Sequence, residues 1–553
     1  MTSRHQRASW QVEQGETRRE HTFGVPPRIA RSVCRLRHPW RAAGIALAVF
    51  IGGLVIALAS VVPFSSETAR RQVIDLLADR LDAEVGLADL RLRLLPRFQV
   101  EGRGLSIRHK GRRDVPPMIS IERFSAEGNV RGLLRRHIAR VVLERLDIEI
   151  PPDRNRVGGP ANSPNPPSGS AYSHTIARTF VVDELVSTDG QVVIIPDDSD
   201  KQPKVWPIHR LHMSSVSVDG QMPFVATLEN AVPPGHIETS GSLGPWRSEE
   251  PGRTPVDGKF ALGRADLGVF KGISGVLSAR GTFGGTLHRL DIHGDTETPD
   301  FTVAAGGHPM PLHATYHAVV DGTNGNTILD EVHASFLQTS LVAKGSVAGT
   351  AGIAGRTVTL DVVMNRGRLE DVLRMVVKAG QPPMTGALKI RTTFVLPPGD
   401  RDVAQKIQLA GTFAISGTRF TSPDLQAKVN ELSHRTRGQR PNDKAVPVSS
   451  GFTGTFSLKN SQLTIPEGTY DVPGSTIRLS GNYGLLSEEV DFAGTAYTDA
   501  KISEMATGFK RLLLKPVDFI FRKSGGGSAI PIRITGTRTE PRLGLDKSRV
   551  FKR

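Results

Sequence analysis

Residues 42–64, AAGIALAVFIGGLVIALASVVPF, constrain this chain more than any other stretch. No charged side chain lies between Arg41 and Glu67. A little over 20 apolar residues, at about 1.5 Å rise each, match a hydrocarbon core about 30 Å thick. A helix there satisfies its own backbone, as lipid requires. The sequence therefore predicts a transmembrane helix over 42–64, which separates a short tail, 1–41, from a long polar body.

Charge sets the expected orientation. Arg28, Arg31, Arg35, Arg37 and Arg41 precede the span with no acidic residue among them, whereas Arg70 and Arg71 beyond it are diluted by Glu67, Asp75 and Asp79. Cytoplasmic flanks carry the excess of arginine, so the tail is expected in the cytoplasm and the body across the membrane. A cleaved signal peptide is the competing reading. Its apolar region is shorter, about 7–15 residues, and ends in a small-x-small site. Val61-Val62-Pro63-Phe64 fits that poorly, so the anchor is favoured. The expectation is a single-pass anchor with the tail in the cytoplasm and the bulk of the chain on the far side of the membrane.

The lone cysteine, Cys34, falls in the tail. The body is thus without disulfide or thiolate chemistry and relies on packing and sheet pairing. The formal charge of +15 suits nucleic acid, anionic lipid or an acidic polymer. A body across a membrane does not meet nucleic acid, which leaves anionic headgroups as the partner; a merely solvated surface is the plain alternative.

Hydrophobic periodicity assigns the rest. Residues 1–27 carry none and read as disordered. Ser65-Ser66 can cap a helix to about Leu81, with Val73, Leu76, Leu77 and Leu81 in one stripe. The period then drops to two: Leu90, Leu92 and Leu94, then Phe98 and Val100, then Ile119, Ile121 and Phe124, then 141–150 (VVLERLDIEI). Arg131, Arg135, Arg136 and Arg140 form a basic cluster that reads either as a headgroup contact or as a solvated face. Residues 65–150 form one α+β unit in this reading. Residues 151–172, with six prolines among Gly, Ser and Asn, are a linker.

From 173 to 500 short alternating strands follow one another between Gly, Asn, Asp and Pro turns, among them Asp189-Gly190, Asp321-Gly322 and Asn324-Gly325. Gly-Thr recurs inside them at Gly281, Gly411, Gly454, Gly494 and Gly536. Mid-strand glycine permits a bend, and its repetition would curve a sheet along one line. Helices are expected over 368–378 and 501–521. The second is amphipathic, with Phe509 and Leu513 on the apolar side and Lys510 and Arg511 opposite, and suits a lipid surface or the end of a sheet. A final strand and basic tail occupy 524–553.

Catalytic and metal motifs are missing: there is no HExxH, CxxC or Gly-x-Ser-x-Gly. His313 and His317 on a strand share a face about 13 Å apart, too far to share an ion. Neither catalytic, cofactor-binding nor metal-ligating residues are expected, and the chain is read as a non-enzyme. The pattern leaves two outcomes. Either two sheets pack as a sandwich, or one mostly antiparallel sheet curls and keeps its apolar face open. An open face would take acyl chains, and by strand parity Phe283, Phe394, Phe413, Phe456, Phe492 and Ile532 are candidates to line it.

Residues 411–433, GTFAISGTRFTSPDLQAKVNELS, carry a pattern of Phe420-Thr421, Gln426, Lys428 and Leu432-Ser433. Together with 281–301, with 530–541, and with the anchor, capped helix and short strands before 150, they make the chain resemble the AsmA-like family. The resemblance implies an inner-membrane-anchored, repeating β-groove of the bridge-like lipid-transfer group. It would conduct phospholipid toward the outer membrane; alternatively it would act as an envelope assembly scaffold on outer-membrane proteins. About 15–20 strands at about 4.8 Å would make a groove roughly 70–100 Å long.

Overall fold

The computed structural model describes residues 66–546 apart from 82, 94–97, 110–115, 118, 130, 133–134, 151–180, 195–203, 218, 248–252, 323–324, 351–352, 354, 438–447, 502–526 and 539. The expected span at 42–64, the linker, and the amphipathic stretch with Phe509, Lys510, Arg511 and Leu513 lie outside the described residues. No described helix is long and apolar enough to cross a membrane.

Helix α1 (Ser66–Leu81) starts one residue inside the expected cap. Its first turn is tied by Glu67, whose carboxylate accepts from Arg70 at 2.8 Å and Arg71 at 3.0 Å, and Arg70 also donates to the Leu87 carbonyl at 2.7 Å. The two guanidiniums lower the Glu67 pKa to about 2. Val73 on the other side is buried.

Everything that follows is one mostly antiparallel sheet. Short β1 (Ala83–Gly86) and β2 (Asp89–Arg93) both pair with β3 (Phe98–His109). Then come β4 (Ile119–Gly128), β5 (His137–Ile150), β6 (Val181–Ile194), β7 (Lys204–Val216), β8 (Met222–Asn230), β9 (Gly235–Leu243) and β10 (Pro255–Asp266). Two-residue β11 (Ile273–Ser274) sits beside the run, and β12 (Val276–Thr286), β13 (Arg289–Val303), β14 (Met310–Asp321), β15 (Thr327–Phe336) and β16 (Thr339–Gly349) continue it. The remainder are β17 (Arg356–Arg368), β18 (Met384–Leu396), β19 (Gln408–Phe420), β20 (Ser450–Lys459), β21 (Gln462–Val472), β22 (Ser475–Gly484), β23 (Glu489–Thr498), β24 (Ser528–Thr537) and β25 (Pro541–Leu545). Apart from β11, each strand after β3 pairs with its predecessor in this run.

One pairing is parallel, β5 with β6. A parallel neighbour needs a crossover of a dozen or more residues, and the Pro-rich stretch falls in the chain between these two strands. The pair also corrects a turn assignment. Asp189-Gly190 lies inside β6, with Asp189 at φ 56° and Arg145 on β5 at φ 53°. A Cβ on Gly190 would lie 2.7 Å from the Leu146 carbonyl oxygen. The glycine therefore serves close approach of two strands, not reversal of one.

The expected helix at 368–378 is α2 (Leu369–Val376). It packs against β13, β17 and β18, the first and last of which a flat sheet would hold about 24 Å apart. Leu369 joins Met310, Phe336, Met364 and Leu388 in a small buried cluster there. A single turn, α3 (Val403–Lys406), and a third helix, α4 (Pro423–Thr436), were not marked by periodicity. Local chemistry still accounts for α4: Ser422 caps it, accepting from Leu425 N–H at 3.4 Å, and proline stands in its first turn. The residues behind the family likeness hold this helix down. Gln426 Oε1 accepts from Phe420 N–H at 2.9 Å, Thr421 Oγ1 donates to the Pro382 carbonyl at 2.6 Å, and buried Ser433 donates to Pro473 at 2.7 Å.

Candidate functional site: a continuous apolar sheet face

Cross-strand partners point to the same side of a sheet, so register traces a face. Starting from Val100 on β3, the partners run Ala126, Val141, Leu185, Met213, Phe224, Gly241, Gly258, Phe283, Ile292, Ala318, Leu329, Gly345 and Leu360. The line continues through Phe394, Leu409, Leu458, Leu463, Tyr483, Val490 and Gly536 to Pro541. No charged residue interrupts it. Several β-bulges shift the register on the way; beyond the one between β19 and β20 the pair is Thr418 with Ser450, and beyond the one between β20 and β21 it is Phe452 with Tyr470.

All six candidate lining residues sit on this face. Phe283, Phe394 and the Leu409 neighbour Phe413 follow the line directly; Phe413 pairs with Ile390 and Gly454, and Phe456 with Gly411. Phe492 pairs with Gly481 and Ile534, and Ile532 with Gly494. Each of the six is half-buried. Phe452, which shares their parity, meets Phe413 edge-on at 4.8 Å between ring centroids and Tyr470 at 6.2 Å. The aromatic patch is thus larger than the candidate set, and Tyr470 is its unforeseen member.

The face has the electrostatics of a poorly hydrated surface. Burial pushes the phenols of Tyr316, Tyr470 and Tyr483 above their ordinary range. Tyr316 is raised further by Asp295, while a hydrogen bond to Ser450 Oγ at 2.9 Å partly offsets the shift at Tyr470.

Glycines punctuate the same face. A Cβ on Gly345 would lie 2.0 Å from the Thr359 carbonyl oxygen, on Gly411 2.0 Å from Arg391 O, on Gly454 2.4 Å from Glu467 O, and on Gly494 2.2 Å from Arg478 O. Gly258, Gly481 and Gly294 would meet the rings of Phe283, Phe492 and Tyr316 at 2.6–2.8 Å. A Cβ on Gly281 would likewise lie 2.3 Å from His293 O, so four of the five expected Gly-Thr positions, Gly281, Gly411, Gly454 and Gly494, act in mid-strand. The fifth, Gly536 at φ 107°, faces the Glu540 carbonyl at the β24–β25 turn instead.

Among the described residues, buried polar side chains serve the scaffold. Asp371 of α2 accepts from Gln338 N–H at 3.0 Å and Thr339 Oγ1 at 2.7 Å, and Thr339 Oγ1 in turn accepts from Arg368 N–H at 3.0 Å. This network fastens α2 over the ends of β16 and β17. In the basic cluster, Arg140 faces Glu184 of β6 at 3.3 Å. One described recess, about 440 Å³, is a mixed hollow lined by Asn460, Gln462, Asn482, Leu486 and Asp491, with Asn482 and Asp491 on the opposite side of their strands from the aromatic patch. Comparison of the chain with family models, with curated proteins and with solved structures finds no match in any of the three.

Proposed function

We propose that the apolar face from β8 to β25 is a groove for the acyl chains of phospholipid, held at the inner membrane by the span at 42–64 and working in the periplasm. One observation carries this reading: the face is continuous and apolar, yet most of its large side chains along that length, Phe224, Phe283, Ile292, Leu360, Phe394 and Leu409 among them, are only half-buried, with Ala318 and Leu458 as buried exceptions. Leaving so much apolar area against water is costly, at about 25 cal/mol per Å², and an acyl chain recovers about 0.8 kcal/mol per buried CH₂. The glycine contacts support a curl. Where a missing Cβ would strike the next strand's carbonyl, that strand leans toward the apolar side. The same lean at Gly345, Gly411, Gly454 and Gly494 turns the face inward. Seventeen consecutively paired strands from β8 to β25, β11 left aside, at about 4.8 Å give a path of about 77 Å along the ladder. Headgroups would stay at the open rim, in water. Nothing in the scheme requires a catalytic residue. The AsmA-like resemblance points the same way, toward lipid delivery in outer-membrane biogenesis.

The test is to purify the full chain in mild detergent, exchange it into detergent-free nanodiscs, and quantify photocrosslinking to an acyl-chain-labelled phospholipid. Probes placed at Phe413 and Phe492 are expected to crosslink, and one at Thr455, on the other face, is not. Equal labelling of both faces, or none at Phe413 and Phe492, would overturn the groove.

A further inference from the structure

The opposite, polar face of β13–β15 carries a second arrangement. His293 on β13 is the direct register partner of His317 on β14, and Asp291 lies two residues before His293 on the same side. His317 Nε2 stands 2.8 Å from Asp291 Oδ1, and His293 Nε2 stands 3.3 Å from the same oxygen. The two imidazoles stack in parallel, 4.3 Å between centroids. Nδ1 of His317 faces Asp330 Oδ2 at 3.5 Å. Asp330 is there because β15 bulges: His317 pairs with Glu331 and Ala318 with Leu329, which leaves Asp330 as the extra residue, its carboxylate on the His317 side. Bulges re-aim side chains in this way.

From this geometry we infer a binding site for one divalent transition-metal ion of borderline softness, zinc being the representative, with Asp291, His293 and His317 as ligands. Zinc is bound at about 2.0–2.2 Å by imidazole nitrogen and carboxylate oxygen, which sets tetrahedral ligand atoms about 3.3 Å apart. The donor atoms lie close to that spacing: Asp291 Oδ1 stands 2.8 and 3.3 Å from the two imidazole nitrogens, and all three donors fall within 4.8 Å of one another. Imidazole with carboxylate is the donor set such ions take, and a carboxylate behind the second ring nitrogen is the usual orienting partner of a ligating histidine. Coordination turns the two rings out of parallel so that both Nε2 atoms aim at one point. Three protein ligands at a half-exposed position leave the remaining coordination to water. A neighbouring trio, Asp295, Glu297 and His313, is similarly close. It is the poorer site, because Arg280 Nε already donates to both Asp295 oxygens at 3.1 Å.

The experiment uses the untagged full chain in detergent, stripped with chelator. Cobalt(II) is titrated first and its visible d–d absorption followed; zinc affinity is then read by competition with a chromophoric chelator. One saturable ion per chain is expected. His317→Ala and Asp291→Asn should each weaken zinc binding at least tenfold, Asp330→Asn about tenfold through loss of the orienting carboxylate, and His313→Ala and His333→Ala less than twofold. Circular dichroism checks that each variant folds, and the cobalt spectrum of the unaltered chain reports nitrogen ligation without any variant. Absence of saturable binding would overturn the site. So would unchanged affinity in His317→Ala, or equal losses in His317→Ala and His333→Ala, which would mark a diffuse histidine surface.

Discussion

One face of one sheet behaves in two ways. From β3 to β7 it is dry: Val100, Val141, Leu143, Val182 and Leu185 have no solvent exposure at all, and Val73 from α1 and Leu87 pack with them. From β8 onward the register line carries the same residue types, yet Phe224, Phe283, Ile292, Leu360, Phe394 and Leu409 are only half-buried. Register and composition do not change at the boundary. What changes is cover. In the first region a helix and neighbouring strands close over the face, and Met213, Val216 and Met222 from β7 and β8 complete that core. In the second, described helices sit only at strand ends, α2 over a small cluster and α4 against β19. A covered face stabilises the fold. An uncovered face of the same chemistry is the surface proposed above as the groove.

The largest expected effect separates the two regions directly. Leu143→Asp places a charge in the dry core and should abolish cooperative unfolding of the first region, while Leu143→Ala should cost about 2–5 kcal/mol. Phe413→Asp, on the open face, should leave urea unfolding nearly intact and lower lipid loading. Equal destabilisation at both positions would erase the distinction. Next, Asp371→Ala strands the Thr339 hydroxyl and the Gln338 N–H, at about 1–3 kcal/mol. Hydrogen exchange should quicken over α2 and the start of β16 and stay unchanged in β3–β5.

A similar loss, about 1–3 kcal/mol from overpacking, is expected for Gly454→Val, whose side chain would strike the Glu467 carbonyl. Gly284→Ala is the control, since nothing lies within 4 Å of its added Cβ; a null result at Gly454 would argue against a sheet leaning toward its apolar side. Smaller still is the alkaline titration. The raised phenols of Tyr316, Tyr470 and Tyr483 are neutral in both states below about pH 10, so their contribution is fully present there and is lost as pH climbs through the raised folded values. Ultraviolet titration should show late ionisation of these phenols, later again when the face is loaded with lipid. The smallest effect is at Glu67. Its folded pKa of about 2 lies below the ordinary 4.5, so its contribution is present above pH 4.5 and lost as pH falls from there toward 2. The stability difference between wild type and Glu67→Gln should vanish over that interval.

Much of the sheet was legible in the residues. Period-two alternation placed the candidate lining residues on one side because a strand's side chains can only alternate, and pairing then carries that side from strand to strand. The Gly-Thr repeats were readable for a similar reason: a glycine between β-branched and apolar neighbours has no local purpose except to let something approach. Other features were not legible. Asp189-Gly190 has turn chemistry, but a parallel neighbour distant in the chain, Leu146 on β5, decides its use. Helix α4 carries few apolar residues and is fastened through Gln426 and Ser433 to segments distant in sequence. His313 and His317, conspicuous by spacing, are not brought together; His317 instead meets His293, which sequence gives no reason to single out.

The amino-acid sequence by itself determined the uncharged apolar run at 42–64, the strand character of the body, the parity of its side chains and the want of a cysteine after Cys34. These follow from local rules, hydropathy over twenty residues and alternation over two. The tertiary structure alone decided which part of the apolar face is covered, which glycines meet a neighbouring backbone, and which histidine and carboxylates converge on the other side. Those depend on register and on bulges between strands far apart in the chain, where a shift of one residue moves every side chain to the opposite face.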